Sequence, residues 1–437
     1  MTLLRLQTTR QLAAEVNAGA LNRPTPKIVL TRKLEWFLCF VSLAALLFSN
    51  VSATISAFAF LTAAALFGLT VPIRAFRALF SDWLPWPFVI LVLVSVSWSA
   101  VPDLSARYGV ELALTAGAAL VLARMAPYSF LSALMCAVLV IDVVGLLVGR
   151  YALNAGAFAM IGAFGSKNAF SAAQAVLFLT SFWVLLSANQ EKLMRSLALI
   201  GVFGCPFLLI AGRSTDAVAP VVLATGVTLL IYSTRRLPPL ARVMALCAGA
   251  LLIICIFGLA FIFRDALFGQ VLVVTGKDVT LSGRTYLWAR ATELMQQNPL
   301  LGMGYGAFWV QGNPYAEQLW AHFQLTGRGG FNFHNLWFDM GIQLGYLGIA
   351  ISLVTVLIVS ARVFRWVVRA PSAESLFFLG FMMIVDMRSL LESELFSQFS
   401  LSWVIVIVAG YYARYAQRTA SVQPLPVGEA RVSLVRR

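Results

Sequence analysis

The chain contains two histidines, His322 and His334, and both fall in one long connection between apolar runs. His334 stands in Phe331-Asn332-Phe333-His334-Asn335, where the chain turns back into an apolar stretch. An imidazole titrates near neutral pH and can take a proton from a hydroxyl there; a polar anchor at a membrane interface is the plainer role. Arginine supplies the second group. Arg213 lies in Ala211-Gly212-Arg213-Ser214-Thr215 and Arg284 in Ser282-Gly283-Arg284-Thr285, each with a glycine before it and a hydroxyl after it. A guanidinium presents a rigid fork of donors that fits phosphate oxygens, and amides at a helix N-terminus would add to it at Arg284. Two such arginines facing one cleft could hold a diphosphate without a metal. Snorkelling to lipid phosphates, or pairing with Asp216, would account for each arginine separately. Lys167, in Gly165-Ser166-Lys167-Asn168, is a third candidate cation. Arg388 and Glu392 stand four apart, the spacing of an i,i+4 ion pair, with Glu394 close behind. Lys167, His322, Arg388 and Glu392 are therefore candidate substrate contacts. Asp142, Glu111 and Asp386 lie in or near apolar runs, where an acid is costly and faces the interior; proton chemistry and pairing with an arginine are both open for Asp142 and Asp386.

These residues hang on a membrane scaffold. Of 437 residues, 60% are apolar and 11% charged, against about 25% charged in a soluble domain; mean hydropathy is +0.85. About 20 apolar residues span a bilayer core. The runs predict an all-α polytopic integral membrane protein with about twelve transmembrane helices, near 35–50, 52–72, 84–100, 108–124, 128–149, 168–188, 196–211, 216–234, 243–263, 335–360, 376–390 and 398–416. Most of the 32 lysines and arginines then fall on one side, among them Arg32, Lys33, Arg195, Arg235, Arg362, Arg369 and Arg414, which by the positive-inside rule places both termini in the cytoplasm. The net charge of +14 is thus explained by orientation and by anionic lipid heads, with no nucleic acid. Trp36, Trp83, Trp86, Trp98 and Trp403 suit an interfacial belt. The five cysteines, Cys39, Cys136, Cys205, Cys247 and Cys255, all sit in apolar runs, without disulfide or metal spacing.

The predicted organisation is a cytoplasmic basic tail (1–34), nine helices (35–263), a large outer loop (264–334), three helices (335–416) and a cytoplasmic tail (417–437). A loop this long is functional or disordered, and its tryptophans and tyrosines favour a folded surface. Leu287, Trp288, Ala291, Leu294 and Met295 recur at helical spacing. Ser282 can cap this stretch and Pro299 stops it, so an amphipathic helix is expected near 284–297, on the outer membrane surface; a helix that merely plugs the bundle mouth is the plainer alternative. Gly302-Met303-Gly304-Tyr305-Gly306 follows no strand and reads as a tight turn, not a dinucleotide site. Gly341 and Gly345 would let another helix approach. No DxD, HExxH, P-loop or nucleophile elbow occurs.

In these stretches the chain resembles the O-antigen ligase and exopolysaccharide polymerase superfamily of bacteria, and within it the ExoQ-type polymerases. The likeness is carried by Ser282-Gly283-Arg284-Thr285-Tyr286-Leu287-Trp288, Asn298-Pro299-Leu300-Leu301-Gly302-Met303-Gly304, His334-Asn335 and Gly341 to Gly348, with weaker support from Trp98-Ser99, Gly165 to Asn168 and Ala211 to Thr215. Family members often carry histidine where Ser166 stands. The resemblance implies a bundle of about twelve helices with a periplasmic loop in the bacterial inner membrane. It implies a glycosyltransferase that polymerises undecaprenyl-diphosphate-linked oligosaccharides without nucleotide sugar, metal or other cofactor, with Arg213 and Arg284 on the diphosphate and His334 as base. A chain-length regulator and export proteins would be partners. The motifs do not separate polymerase from ligase. A transporter of lipid-linked glycan is the reading from another class, but no repeated halves are visible.

Overall fold

The computed structural model describes residues 26–154, 157–263, 283–325, 328 and 330–422. Each stretch expected to span carries a helix: α1 (Pro26–Leu47), α2 (Ala53–Thr70), α4 (Trp86–Val94), α5 (Pro102–Leu122), α6 (Pro127–Val148), α7 (Lys167–Leu186), α8 (Lys192–Gly212), α9 (Thr215–Thr234), α10 (Pro239–Ile262), α13 (Leu336–Arg369), α14 (Ala373–Arg388) and α15 (Leu401–Val422). Three more lie between them: α3 (Pro72–Ser81), α11 (Arg284–Met295) and α12 (Pro314–His322). Several starts are written in the sequence. Ser52 and Ser166 accept from the third amide beyond them, and Ser372 opens a capping box. Proline, which lacks the N–H that a first turn cannot pair, begins α5, α6 and α12.

Among the described residues, seven helices (α2, α6, α7, α8, α9, α10 and α13) are long and apolar enough to cross a membrane. The stretch 84–100 is not one straight span. α4 and the 3₁₀ turn after it, Ser95–Ser97, together reach about 18 Å at 1.5 Å per residue, short of a core of about 30 Å. They pair with α3 across a 74° bend as a broken span or a re-entrant pair. A hairpin of β1 (Tyr151–Asn154) and β2 (Ala157–Met160), antiparallel, links α6 to α7. Strands of four residues rich in alanine have no periodicity to announce them.

One large core joins the spanning helices. Trp403 lies in it, fully buried against Phe88 and Phe396, so it is no belt residue. Cys39, Cys136 and Cys205 are buried, whereas Cys247 and Cys255 face outward on α10, the helix with the least protein around it. Asp142 and Asp386 pair with Gln174 and Ser360 instead of arginines; Arg388, two residues from Asp386, is taken by Asp216 and Glu394. A smaller core outside the bundle gathers Leu287, Ala291 and Leu294 of α11 with Phe308, Leu319, Trp320, Phe333 and Ile342. The amphipathic helix thus exists, but its apolar face is buried on protein, not on lipid. Its proposed cap, Ser282, lies outside the described residues, as do 264–282 of the outer loop.

At the basic end of the bundle, Asp82 in the α3–α4 bend is 1% exposed and accepts from Arg362 at 2.8 Å and from Arg414 at 3.0 Å. One carboxylate thereby staples the bend to α13 and α15. Removing it strands two guanidiniums, so Asp82→Asn is expected to lower stability by about 3 kcal/mol. A thermal-shift measurement on the detergent-solubilised protein checks this; an unchanged midpoint would show that the staple does not matter.

Candidate active site

Helix polarity decides which residues meet. α7, α9, α11 and α13 begin, and α8 and α14 end, at the same end of the molecule, opposite the Asp82 staple. The N-termini carry partial positive charge. Lys167 opens α7 and is half-buried; Arg213 ends α8 and is exposed; Arg284 opens α11.

At the centre is Glu392, 6% exposed, on the loop after α14. Its Oε1 accepts from Arg284 Nη2 at 2.7 Å and from Asn168 Nδ2 at 2.7 Å, and its Oε2 lies 3.1 Å from His334 Nδ1. The Ser214 hydroxyl meets Asp216 Oδ1 and lies 3.0 Å from Asn168 Oδ1, so Arg213 is one residue from a polar cluster that runs through Asn168 and Glu392 to Arg284 and His334. The i,i+4 pair expected of Arg388 and Glu392 does not form. The Glu392 amide still donates to the Arg388 carbonyl at 2.7 Å, but the Glu392 carboxylate is taken by Arg284, Asn168 and His334. Arg388 turns inward, donating to Asp216 Oδ2 at 3.0 Å and to Glu394 Oε1 at 2.5 Å. Asp216 therefore serves Arg388 and not Arg213.

His334 is held from several sides. It is left-handed (φ 49), as is Arg213 (φ 48), a conformation uncommon outside glycine and typical of over-determined positions. The His334 N–H donates to Asn332 Oδ1 at 2.7 Å. Asn335 caps α13, accepting from the amides of Trp337 and Phe338, and its Nδ2 donates to the Leu390 carbonyl at 3.0 Å. The asparagine of the His-Asn pair thus ties the Glu392 loop to the base of α13. Trp288 Nε1 donates to the Phe333 carbonyl at 2.9 Å, docking the Arg284 helix onto the same turn. If the His334 Nδ1–H donates to Glu392, the lone pair is left on Nε2, the arrangement of a general base oriented by a carboxylate.

His322 is exposed at the end of α12 and stacks on Tyr286, ring centroids 4.0 Å apart, two residues beyond Arg284. Asn168, Ser214 and Asn332 were not singled out from the sequence; each is a short polar residue adjacent to, or two before, one that was. Among the described residues no three His, Cys, Asp or Glu side chains gather as a metal ion would require.

Comparison with known proteins bears on the same segments. Residues 200–353 match the Wzy_C family, described as O-antigen ligase. The chain is also 28% identical over 354 residues to the exopolysaccharide production protein ExoQ of Rhizobium meliloti (strain 1021), an alignment covering 78% of this chain and 79% of that protein. The likeness read from the motifs is thus found by both comparisons. The family segment contains Arg213, Arg284, His322 and His334, while Lys167, Arg388 and Glu392 lie outside it.

Proposed function

Taking that similarity as the premise, we propose that the chain is a membrane enzyme that joins glycan units at the periplasmic end of its bundle. Its donor is an oligosaccharide on a lipid diphosphate, undecaprenyl diphosphate by family resemblance, and its product is exopolysaccharide. The observation that carries the reading is Glu392, a buried carboxylate that holds a guanidinium and an imidazole together. The acceptor hydroxyl oxygen attacks the anomeric carbon as the bond from that carbon to the diphosphate breaks. The hydroxyl proton passes to His334 Nε2. Arg284 and Arg213 stabilise the negative charge that builds on the departing lipid diphosphate. Direct displacement of this kind inverts the anomeric configuration. Cytoplasmic termini fit the placement of Arg235, Arg362 and Arg414 at the end opposite the site.

Arg284→Ala is the direct test. It removes one charge-assisted contact to the leaving group, and polymer formation from lipid-linked repeats is expected to fall about 100-fold or more. Polymer at the normal level from a well-expressed variant would end the assignment. The family match to O-antigen ligase supports a second reading, transfer of glycan to a lipid acceptor. Purified protein given only lipid-linked repeats separates the two: a polymerase makes ladders of increasing length and a ligase does not.

A further inference from the structure

Beside the turn that carries His334 lies a cavity of about 410 Å³, within the range of about 300–1,000 Å³ usual for small-molecule sites. It is bounded by α5, the turn 305–309, the start of α13 and the loop 393–398, and neither Arg213 nor Arg284 lines it. It meets the proposed catalytic pair at two points. Asn332 is the residue whose side chain holds the His334 N–H, and Ser393 follows Glu392 in the chain.

The lining has a definite chemistry. Tyr108, Trp309 and Phe331 offer aromatic surface, and Asn332, Gln343 and Gln398 bring three carboxamides. Backbone amides fix two of these. Asn332 Oδ1 accepts from the His334 N–H, and Gln343 Oε1 accepts from the Gly306 N–H at 2.8 Å. Gln398 Oε1 is 3.3 Å from the Tyr305 hydroxyl. With those two oxygens engaged, the amino groups of Asn332 and Gln343 have no partner among the described residues and are left to donate into the cavity; the Tyr305 hydroxyl gives its one proton to the Phe396 carbonyl at 2.7 Å and so does not fix Gln398. The one carboxylate of the lining, Asp339, is 3% exposed and already accepts from Ser393 and from the Phe333 N–H. Arg328 also lines the cavity, its guanidinium paired with Glu317 at 3.0 Å; carboxamide donors beside aromatic faces match a pyranose, which has an apolar C–H face and a rim of oxygen lone pairs.

We infer that this cavity is the acceptor subsite, holding the terminal sugar of the glycan whose hydroxyl is to be deprotonated by His334. The inference rests on the glycan-transfer reading above. It adds a side to that reading, since in-line displacement needs the attacking hydroxyl away from the leaving diphosphate, and neither arginine lines the cavity. Gln343 and Gln398 are then binding residues for the acceptor.

The test uses the full-length protein in detergent and a defined probe, the free repeat oligosaccharide released by mild acid from the lipid-linked pool of the producing strain. Binding is followed by calorimetry, and polymer formation from intact lipid-linked repeats is followed separately. Gln343→Glu keeps an oxygen for the Gly306 N–H, removes the donor and adds a negative charge; Gln398→Met leaves Tyr305 its bond to the Phe396 carbonyl. Each is expected to weaken binding of the probe about tenfold, while Arg284→Ala binds it like wild type and fails to polymerise. Wild-type affinity in both glutamine variants, or no saturable binding to the wild type, overturns the subsite. If Arg284→Ala still polymerises normally, it is the glycan-transfer reading that fails, whatever the glutamine variants do.

Discussion

Replacing His334 by alanine is expected to lower the rate of polymer formation by about 10²–10⁴-fold, the usual contribution of a positioned general base. The structure sharpens this, because His334 does not act alone. Glu392 lies 3.1 Å from Nδ1, and only a carboxylate there obliges Nδ1 to carry the proton and Nε2 to carry the lone pair. Glu392→Gln leaves one oxygen and one amino group. If the oxygen goes to Arg284, the amino group faces Nδ1 and reverses the tautomer, so the base is lost although the ring is in place. Glu392→Gln is therefore expected to fall nearly as far as His334→Ala. The double variant should fall no further than His334→Ala alone, since groups that act as a unit are not additive. Initial rates for purified protein on lipid-linked repeats measure all three. A double variant slower by the product of the single losses would mean that the two residues serve separate steps.

This pairing marks the limit of what sequence could tell. The helices were legible because each apolar run is a local fact, and so was α11, whose apolar residues recur within one segment. What α11 rests on was not legible: a stripe of Leu287, Ala291 and Leu294 looks the same whether it meets lipid or Phe308 and Trp320. The residues of the candidate site were visible one at a time, as scarce histidines and as arginines between glycines and hydroxyls. Their partners were not. Glu392 is 108 positions from Arg284 and 224 from Asn168, and such contacts depend on which helix ends converge. The spacing of Arg388 and Glu392 pointed to a pair that distant partners prevent, Asp216 for the one and Arg284 for the other. The role of Gly345 was likewise hidden, because a glycine four residues from another suggests close helix contact, whereas here it breaks a helix.

That break underlies the second large expected effect. Gly345 has φ 64 and ψ −164 inside α13, a region open essentially to glycine alone. The interruption frees backbone groups on both sides of it, and the segment after α11 takes them up. The Met303 and Gly304 amides donate to the Ile342 and Gln343 carbonyls at 2.9 Å each, and the Tyr346 amide donates to the Pro299 carbonyl at 2.7 Å. The Asn-Pro-Leu-Leu-Gly-Met-Gly stretch is thus the missing partner of a broken helix. In turn it places Tyr305 and Gly306 against Gln343. It also holds the α4–α5 connection, where Trp98 Nε1 donates to the Leu301 carbonyl at 3.0 Å. A Cβ at 345 would meet the backbone of Leu300, which no side-chain rotation relieves. Gly345→Ala is therefore expected to cost about 3 kcal/mol or more from backbone conformation and overlap together. It should also abolish polymer formation, because the damage lies under both the acceptor cavity and the turn that carries His334. Gly341→Ala is the control. Its Cβ would meet the flexible Met295 side chain, which can move aside, so stability and activity should change far less. Equal losses in the two variants would show that close packing of α13, and not its break, is what Gly345 provides.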